Sequence, residues 1–144
     1  MDRPASIVRF EQFYLGHIVV GLVGSSIALF GSDNPATAQM VETFGAWVPA
    51  AILGLGVLIQ ATLWCLISRK GSAVAKWILV GLTALNLLGA AFLIFGFVTG
   101  FGAEVRNLPG SLLNLAASAL LIAAVAMMFR PDTPAWFGEA APAA

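Results

Sequence analysis

The chain has 144 residues, of which 60% are hydrophobic and only 10% are charged, and its formal net charge is zero. A soluble domain carries roughly 25% charged residues. This composition therefore excludes an ordinary water-soluble fold and predicts an integral membrane protein surrounded by a lipid bilayer. The zero net charge gives no reason to expect a nucleic-acid partner.

Four apolar runs are each long enough to cross a bilayer, which takes about 20 residues. They predict helices at approximately 7–31, 44–68, 74–99 and 109–130, followed by a tail at 131–144. Only the short basic turn 68–73 separates the second helix from the third, so these two are expected to be antiparallel neighbours. The spans leave no room for a soluble catalytic domain. We therefore predict an all-α, integral membrane four-helix bundle, a single domain over 1–144, that is not an enzyme.

The first helix is expected to begin with an amphipathic stretch that lies in the headgroup region. Its apolar residues recur at helical spacing: Ile7, Phe10, Phe13 and Tyr14. The alternative is a signal peptide that is cleaved after the Ala-Thr-Ala sequence at 36–38. The length of the apolar stretch and the acidic residues Asp2 and Glu11 favour a retained helix instead.

The connection between the first and second helices and that between the third and fourth are expected to be loops on the side of the membrane opposite the basic turn. Residues 31–43 contain the turn sequence Ser-Asp-Asn-Pro, and residues 100–109 end in a proline that suits a helix start. Lys and Arg near the span ends divide six to one between the two sides, with only Arg106 on the loop side. By the positive-inside rule, both termini and the turn are predicted to be cytoplasmic. Four tryptophans are interpreted as anchors at the membrane interfaces: Trp47, Trp64, Trp77 and Trp136.

Small residues recur at four-residue spacing along the spans, a pattern that lets helix backbones approach closely in a membrane. The predicted packing positions are Gly21, Ser25, Ala46, Ala50, Gly54, Gly96, Gly100, Ala119 and Ala123. Lipid tails are as apolar as leucine, so burying leucine from lipid gains little. Close packing and a few polar contacts are therefore expected to hold the bundle together.

Each span also carries one amide or imidazole side chain: His17, Gln60, Asn86 and Asn114. The simpler interpretation is that these groups form hydrogen bonds between helices, each worth about 0.6–2 kcal/mol. The sharper hypothesis is that they line a substrate path. Their expected depths differ, which suits a polar path and separate hydrogen-bonded pairs equally. The spans carry no carboxylate or lysine at their centres, which argues against proton- or sodium-coupled transport.

His17 is the one residue with a specific chemical hypothesis, as an axial haem ligand or a quinone contact. The second ligand to a haem would be a histidine of another chain or a methionine, with Met127 and Met128 nearest in depth. A packing histidine is the simpler interpretation, and we predict no cofactor, no metal and no catalytic residue. Cys65 is expected to be a small core residue, with palmitoylation as the alternative.

Three stretches resemble a broad set of small, uncharacterised four-helix bacterial inner-membrane proteins. They are Arg-Pro-Ala-Ser-Ile at 3–7, Arg-Lys-Gly-Ser-Ala-Val-Ala-Lys-Trp at 69–77, and Phe-Arg-Pro-Asp with Trp-Phe within 129–137. The resemblance covers the whole chain in pattern and implies a location in the bacterial inner membrane, without implying an activity. The chain does not resemble the small multidrug transporters, because Glu11 precedes the first span instead of lying inside it.

These observations favour a non-enzymatic accessory or scaffold subunit of a larger membrane assembly. The alternative is a small homo-oligomeric transporter or channel in which the four amide and imidazole side chains line a path. A path requires that several of them converge on one wet cavity. A scaffold requires a dry interior and stripes of small residues that face lipid. The expected partner is accordingly another membrane protein or a second copy of the chain.

Overall fold

The computed structural model describes residues 3–30, 35–101 and 107–139. Within them the elements are α1 (Ala5–Phe30), α2 (Pro35–Phe44), α3 (Trp47–Ser68), α4 (Ala73–Thr99), α5 (Leu108–Met127) and a 3-10 helix at Pro134–Phe137. Four of the helices, α1, α3, α4 and α5, are long and apolar enough to cross a membrane. The predicted all-α bundle with four candidate spans is therefore confirmed. Asp33, Glu104 and Arg106 lie outside the described residues.

The helices begin where side chains satisfy free backbone donors. Ser72 Oγ accepts a hydrogen bond of 3.2 Å from the Ala75 N–H and caps α4. Asn107 Oδ1 accepts one of 2.9 Å from the Gly110 N–H and caps α5. Gly100, with a φ of 74°, ends α4 in the left-handed conformation that glycine tolerates best. Local capping chemistry thus fixes both ends of the fourth helix.

The loop predicted at 31–43 is wrong in part, because residues Pro35–Phe44 form the short helix α2. Pro35 stands at the first helical position, where its fixed φ suits the helix and its missing N–H is not needed. Gly45, with a φ of 101°, ends α2 and lets the chain turn into α3 at Trp47. The proline taken as part of a turn is therefore the start of a helix.

The tightest contact in the bundle joins α1 and α5, which run antiparallel. A Cβ built on Gly24 would lie 2.9 Å from Leu113 Cβ and 3.2 Å from the carbonyl oxygen of Gly110. A Cβ on Gly110 would in turn lie 2.9 Å from the Gly24 oxygen. Only glycine allows backbones to approach this closely. The predicted packing position Gly21 lies on the same seam, opposite Ala117.

Most of the other predicted packing positions face outward: Ala46, Ala50, Gly54, Gly100 and Ala119 are exposed. Nothing lies within 4 Å of a Cβ built on Gly54. Ala123 is half-buried and Gly96 is buried. The buried face of α5 runs through Ala117 and Ala124 instead, which is a different side of the helix from Ala119. The outward-facing small residues of α3 could pack only against a helix of another chain, and that contact stays a prediction.

The buried core is concentrated at the end of the bundle that holds the start of α1, the turn between α3 and α4, and the chain after α5. We call this the basic end. Ile7, Phe10 and Tyr14 are at most 1% exposed there, packed with Ile67 and Met128. The predicted amphipathic start of the first helix is helical, its apolar face packs on the bundle, and its place in the headgroup region stays a prediction. These side chains are covered by protein, and α1 is one continuous helix from Ala5.

Residues 132–139, which we call the clasp, fold back over the basic end. Asp132 Oδ2 accepts a hydrogen bond of 3.1 Å from the Ser6 N–H, so the clasp caps α1. The Trp136 indole N–H donates to the Ile67 carbonyl oxygen at 2.9 Å. The Lys76 ammonium, which is almost fully buried, lies 2.8 Å from a Glu139 carboxylate oxygen. The clasp thus connects α1, α3 and α4.

The position of Gly71 depends on the same segment. Its φ is 59°, and a Cβ built on it would collide with the carbonyl oxygen of Trp136. The turn between α3 and α4 therefore requires glycine both for its backbone conformation and for the approach of the clasp.

The four tryptophans differ in their surroundings. Trp47 and Trp77 are exposed, as an interface anchor would be. Trp64 is half-buried beneath the Arg69 guanidinium, which lies 5.4 Å from the ring centroid. Trp136 is held by the Ile67 carbonyl. Cys65 is exposed, so the expectation that it is a core residue is wrong.

Candidate functional site

All four amide and imidazole side chains of the spans line one cavity of about 420 Å³, which we call the polar cleft. They are His17, Gln60, Asn86 and Asn114. Ser25 and Ser118 add hydroxyl groups to the wall, and the rest of the lining is small or aliphatic. The side chains reach one cavity although they stand at different heights on their helices. No lining residue carries a fixed charge among the parts of the chain that the structure describes.

The α1–α5 seam fixes the His17 ring at the wall of the cleft. His17 Nδ1 lies 2.8 Å from the Ala117 carbonyl oxygen. A carbonyl oxygen only accepts hydrogen bonds, so this contact assigns the proton of the neutral ring to Nδ1. The other ring nitrogen, Nε2, is then a hydrogen-bond acceptor. Because α1 begins at Ala5, His17 lies near the middle of its helix.

Asn114 is positioned one helical turn further along the seam, toward the end of the bundle opposite the basic end. The Ser25 hydroxyl donates to Asn114 Oδ1 at 3.4 Å. The Ser118 hydroxyl donates to the Asn114 carbonyl oxygen at 2.9 Å, within α5. The small residues of the seam bring α1 and α5 close enough for these polar pairs to meet. Ser25, predicted as a packing position, therefore also contributes a hydrogen bond.

A smaller cavity of about 160 Å³ adjoins the cleft on its side nearer the basic end, and we call it the inner lobe. It shares His17, Gln60 and Asn86 with the cleft and adds Tyr14. Gln60 Oε1 and Tyr14 Oη are buried without a hydrogen-bond partner among the described residues. A buried polar group left unpaired costs roughly 1–3 kcal/mol, so such groups in a cavity wall favour a bound polar molecule.

Asn86 borders the cleft on α4 and is exposed. The buried residues of α4 lie near its two ends: Ala75, Lys76, Leu79 and Thr83 at one, and Gly96 at the other. Between them the helix packs loosely, and Leu82 and Leu85 are exposed beside Asn86. The cleft therefore opens sideways at the middle of α4. An amide facing lipid at this depth is unfavourable unless another polar group meets it.

Sequence reasoning identified the four amide and imidazole residues but missed Ser118, which lines the polar cleft, and Tyr14, which lines the inner lobe. Tyr14 was assigned to the membrane surface because of its place in an amphipathic pattern. The signal that was available is its spacing from His17: three residues apart, the two side chains share one helix face. Their rings lie 5.8 Å apart between centroids.

The residues near His17 do not form a haem site with the methionines considered. His17 contacts Ala117, whereas Met127 and Met128 lie ten or more residues further along α5. At 1.5 Å rise per residue, that separation is about 15 Å. Axial ligands must flank one iron atom, so neither methionine can share a haem with His17 in this chain. No group of three or more His, Cys, Asp or Glu side chains suited to a metal occurs in 3–30, 35–101 or 107–139.

Comparison of the chain with protein-family models, curated proteins and solved structures gives no match.

Proposed function

We propose that this protein binds a neutral small molecule in the polar cleft and carries it across the membrane, as a small non-enzymatic transporter that works as a homo-oligomer. The observation that supports this most strongly is the convergence of His17, Gln60, Asn86 and Asn114 on one cavity. Polar side chains inside a membrane are costly and mark substrate paths when they share a cavity. The uncharged lining favours a neutral molecule over an ion.

The depth of the cavities also supports a path. Together the inner lobe and the cleft extend along α1 from Tyr14 to Ser25. That distance is about 16 Å, roughly half of the hydrocarbon thickness of a bilayer. The buried core at the basic end closes the lobe in the conformation described here. Passage therefore requires a movement of the loosely packed part of α4 or the pairing of two copies at the open side of the cleft.

Solute flux into liposomes tests this proposal. The full chain is reconstituted, and the uptake of glycerol and of urea is followed by stopped-flow light scattering. We expect faster uptake than in protein-free liposomes, and a loss of most of that gain in Asn86→Leu. Leu88→Ala, an exposed change on the same helix, is the matched control and keeps the gain. Uptake equal to that of empty liposomes for both solutes contradicts transport of this class.

An accessory or scaffold subunit of a larger membrane assembly is the second candidate, and one observation favours it. The stripe of Ala50 and Gly54 on α3, with Ala46 just before the helix, faces outward and offers a close-packing surface to another helix. Mild-detergent purification at native expression level, followed by mass spectrometry, distinguishes the two. A stoichiometric partner supports the accessory subunit, and a homo-oligomer without a partner supports the transporter.

We also propose that the protein lies in a bacterial inner membrane with both termini in the cytoplasm. The excess of Lys and Arg at the basic end supports this orientation. A reporter that is active on only one side of the membrane, fused after residue 144, provides the test. Reporter activity on the periplasmic side contradicts the assignment.

A further inference from the structure

We infer that the inner lobe is a binding site for a neutral ligand that donates at least two hydrogen bonds, of the class of dihydroxy compounds. The inference rests on the proposed function in one respect, that the cavity binds a neutral small molecule. It goes beyond that function by naming the inner lobe as the place where the polar groups of the ligand bind, and by naming the class of ligand. The atoms that carry it are Gln60 Oε1, Tyr14 Oη and His17 Nε2.

The hydrogen-bonding capacity of the lobe is dominated by acceptors. Gln60 Oε1 is buried and can only accept; no described donor meets it in hydrogen-bonding geometry, and the Gln60 side chain lies beside the His17 ring. His17 Nε2 accepts because Nδ1 carries the proton toward the Ala117 carbonyl. Tyr14 Oη is also buried without a described partner and can accept or donate. A ligand that only accepts leaves Gln60 Oε1 unpaired, whereas a ligand with two hydroxyl groups satisfies it and a second acceptor.

The size and the surroundings of the lobe narrow the ligand further. Its volume of about 160 Å³ is close to the roughly 150 Å³ that suffices for benzene in an apolar cavity. The apolar part of its wall is formed by Leu63, Leu79, Leu82 and Leu121. A single ring with a hydroxyl group at each of two positions matches both the volume and the mixed lining. The lining contains no charged residue in the described chain, so an ionised ligand would be buried without a counter-ion.

A dihydroxy ligand can reach the lobe from two sources, the bilayer and the polar cleft, and the same hydrogen bonds would hold it in either case. The lobe borders Asn86 and Leu82, both exposed on the lipid-facing side of α4. A dihydroxy ring with an alkyl tail can enter from the bilayer and leave its tail among lipid. A free dihydroxy solute can enter through the polar cleft, which shares His17, Gln60 and Asn86 with the lobe.

Equilibrium dialysis of the purified full chain in mild detergent, under nitrogen, tests the inference with matched probes. Hydroquinone donates two hydrogen bonds, and its dimethyl ether has the same ring and no donor. We expect hydroquinone to bind at least tenfold more tightly than the ether. Gln60→Met and Tyr14→Phe should each weaken hydroquinone binding by about five- to tenfold, the effect of one hydrogen bond. Binding of the ether should not change in either variant.

Thr62→Val is the matched control on α3, because the Thr62 hydroxyl is exposed and bonded to the Leu58 carbonyl within its own helix. It should leave both affinities unchanged. Thermal unfolding of Tyr14→Phe separates binding from a structural role, since removal of an unpaired hydroxyl should not lower the melting temperature. Equal affinity for hydroquinone and its ether, or no binding of either, overturns the inference. A loss of hydroquinone binding in Thr62→Val as large as that in Gln60→Met overturns it as well.

Decylhydroquinone distinguishes the two sources. Tighter binding of the decyl compound, with displacement of hydroquinone, supports a ligand from the bilayer. Exclusion of the decyl compound while hydroquinone binds supports a free solute, and both results keep the dihydroxy site. Failure of transport is separable: hydroquinone binding without solute flux contradicts the transporter and leaves the site standing. Flux that is insensitive to Gln60→Met and Tyr14→Phe, without hydroquinone binding, contradicts only the site.

Discussion

The two halves of the bundle are built in different ways. At the basic end, aliphatic and aromatic side chains are fully buried, and the clasp connects three helices through Ser6, Ile67 and Lys76. In the other half, α1 and α5 are held together by a glycine seam, while the middle of α4 packs loosely beside the polar cleft. Stability is expected from both the filled basic end and the glycine seam, whereas the loosely packed middle of α4 leaves room for the cavity.

This division has a physical reason. A cavity with polar walls cannot be close-packed, so the elements around it contribute less to folding than a filled core does. Residues of the clasp complete the filled core at the basic end from outside the spans. The resulting bundle is well packed at the basic end and loosely packed at the middle of α4.

The largest effect is expected from closing the room between α1 and α5 at Gly24. In Gly24→Leu the new side chain meets Leu113 and the backbones of Asn114 and Gly110, which cannot move independently of α5. Overpacking of this kind costs roughly 3 kcal/mol, the upper part of the usual range. Thermal unfolding in mild detergent should show the loss.

Gly54→Leu is the control for that experiment, because nothing lies within 4 Å of a Cβ at Gly54. It should leave the stability of the single chain unchanged, whereas it should weaken an assembly that uses the outward stripe of α3. Equal destabilisation by the two leucine substitutions would contradict the glycine seam as the contact that holds α1 and α5 together.

The next effect concerns the basic end and the ion pair between the clasp and α4. Glu139→Gln leaves the Lys76 ammonium buried beside the Phe129 and Phe137 rings without an anion. Breaking a buried pair from one side costs about 3–5 kcal/mol. Glu139 is about one-third exposed, so we expect a smaller loss, roughly 2 kcal/mol.

The double variant Lys76→Met with Glu139→Gln sharpens this prediction. It removes the uncompensated charge together with its partner, so it should be more stable than Glu139→Gln alone. Chemical denaturation of the single and double variants in the same detergent gives the comparison. A double variant that is less stable than Glu139→Gln would show that Lys76 stabilises the basic end through its stem and the aromatic rings instead of through the ion pair.

The spans were predictable from the sequence because length and apolar composition alone determine whether a helix can cross a bilayer. Four polar residues in the spans were also predictable as candidates, because amide and imidazole side chains are rare in apolar runs: His17, Gln60, Asn86 and Asn114. That they share one cavity could not be predicted, since it depends on how the helices rotate and pack. For α1 and α5, the rotation is set where Gly24 and Gly110 meet, and these two glycines show no common spacing within one helix.

The clasp was the least predictable part of the fold. Residues Asp132, Trp136 and Glu139 lie in the predicted tail, where Trp136 was expected to be an interface anchor, and no local pattern indicates that they return to α1, α3 and α4. Their partners are distant in sequence: Ser6, Ile67 and Lys76. The same long-range contact explains what covers the apolar face at the start of α1. An amphipathic face at Ile7 and Phe10 predicts burial, but the pattern does not say whether lipid or protein covers it.

The smallest effect is expected at the exposed cap between Asp132 and α1. Hydrogen bonds from the Ser6 hydroxyl and backbone N–H lower the pKa of the Asp132 carboxyl below its usual value, and the Arg130 charge adds to this. The ionised form is therefore favoured in the folded protein. Its contribution to stability is fully present above the pKa of the unfolded chain, which is about 4, and is lost as the pH falls through the lower folded pKa.

Melting temperatures of the wild type and Asp132→Ala, measured from pH 6 to pH 2.5, reveal this contribution. The wild type should melt at a slightly higher temperature down to about pH 4, and the difference should shrink below that value as the carboxyl is protonated. Asp132→Asn keeps an acceptor for the Ser6 N–H without the charge, so its difference from alanine should not vary with pH. A wild-type advantage that persists undiminished to pH 2.5 would mean that the clasp caps α1 through its position and not through an ionised carboxylate.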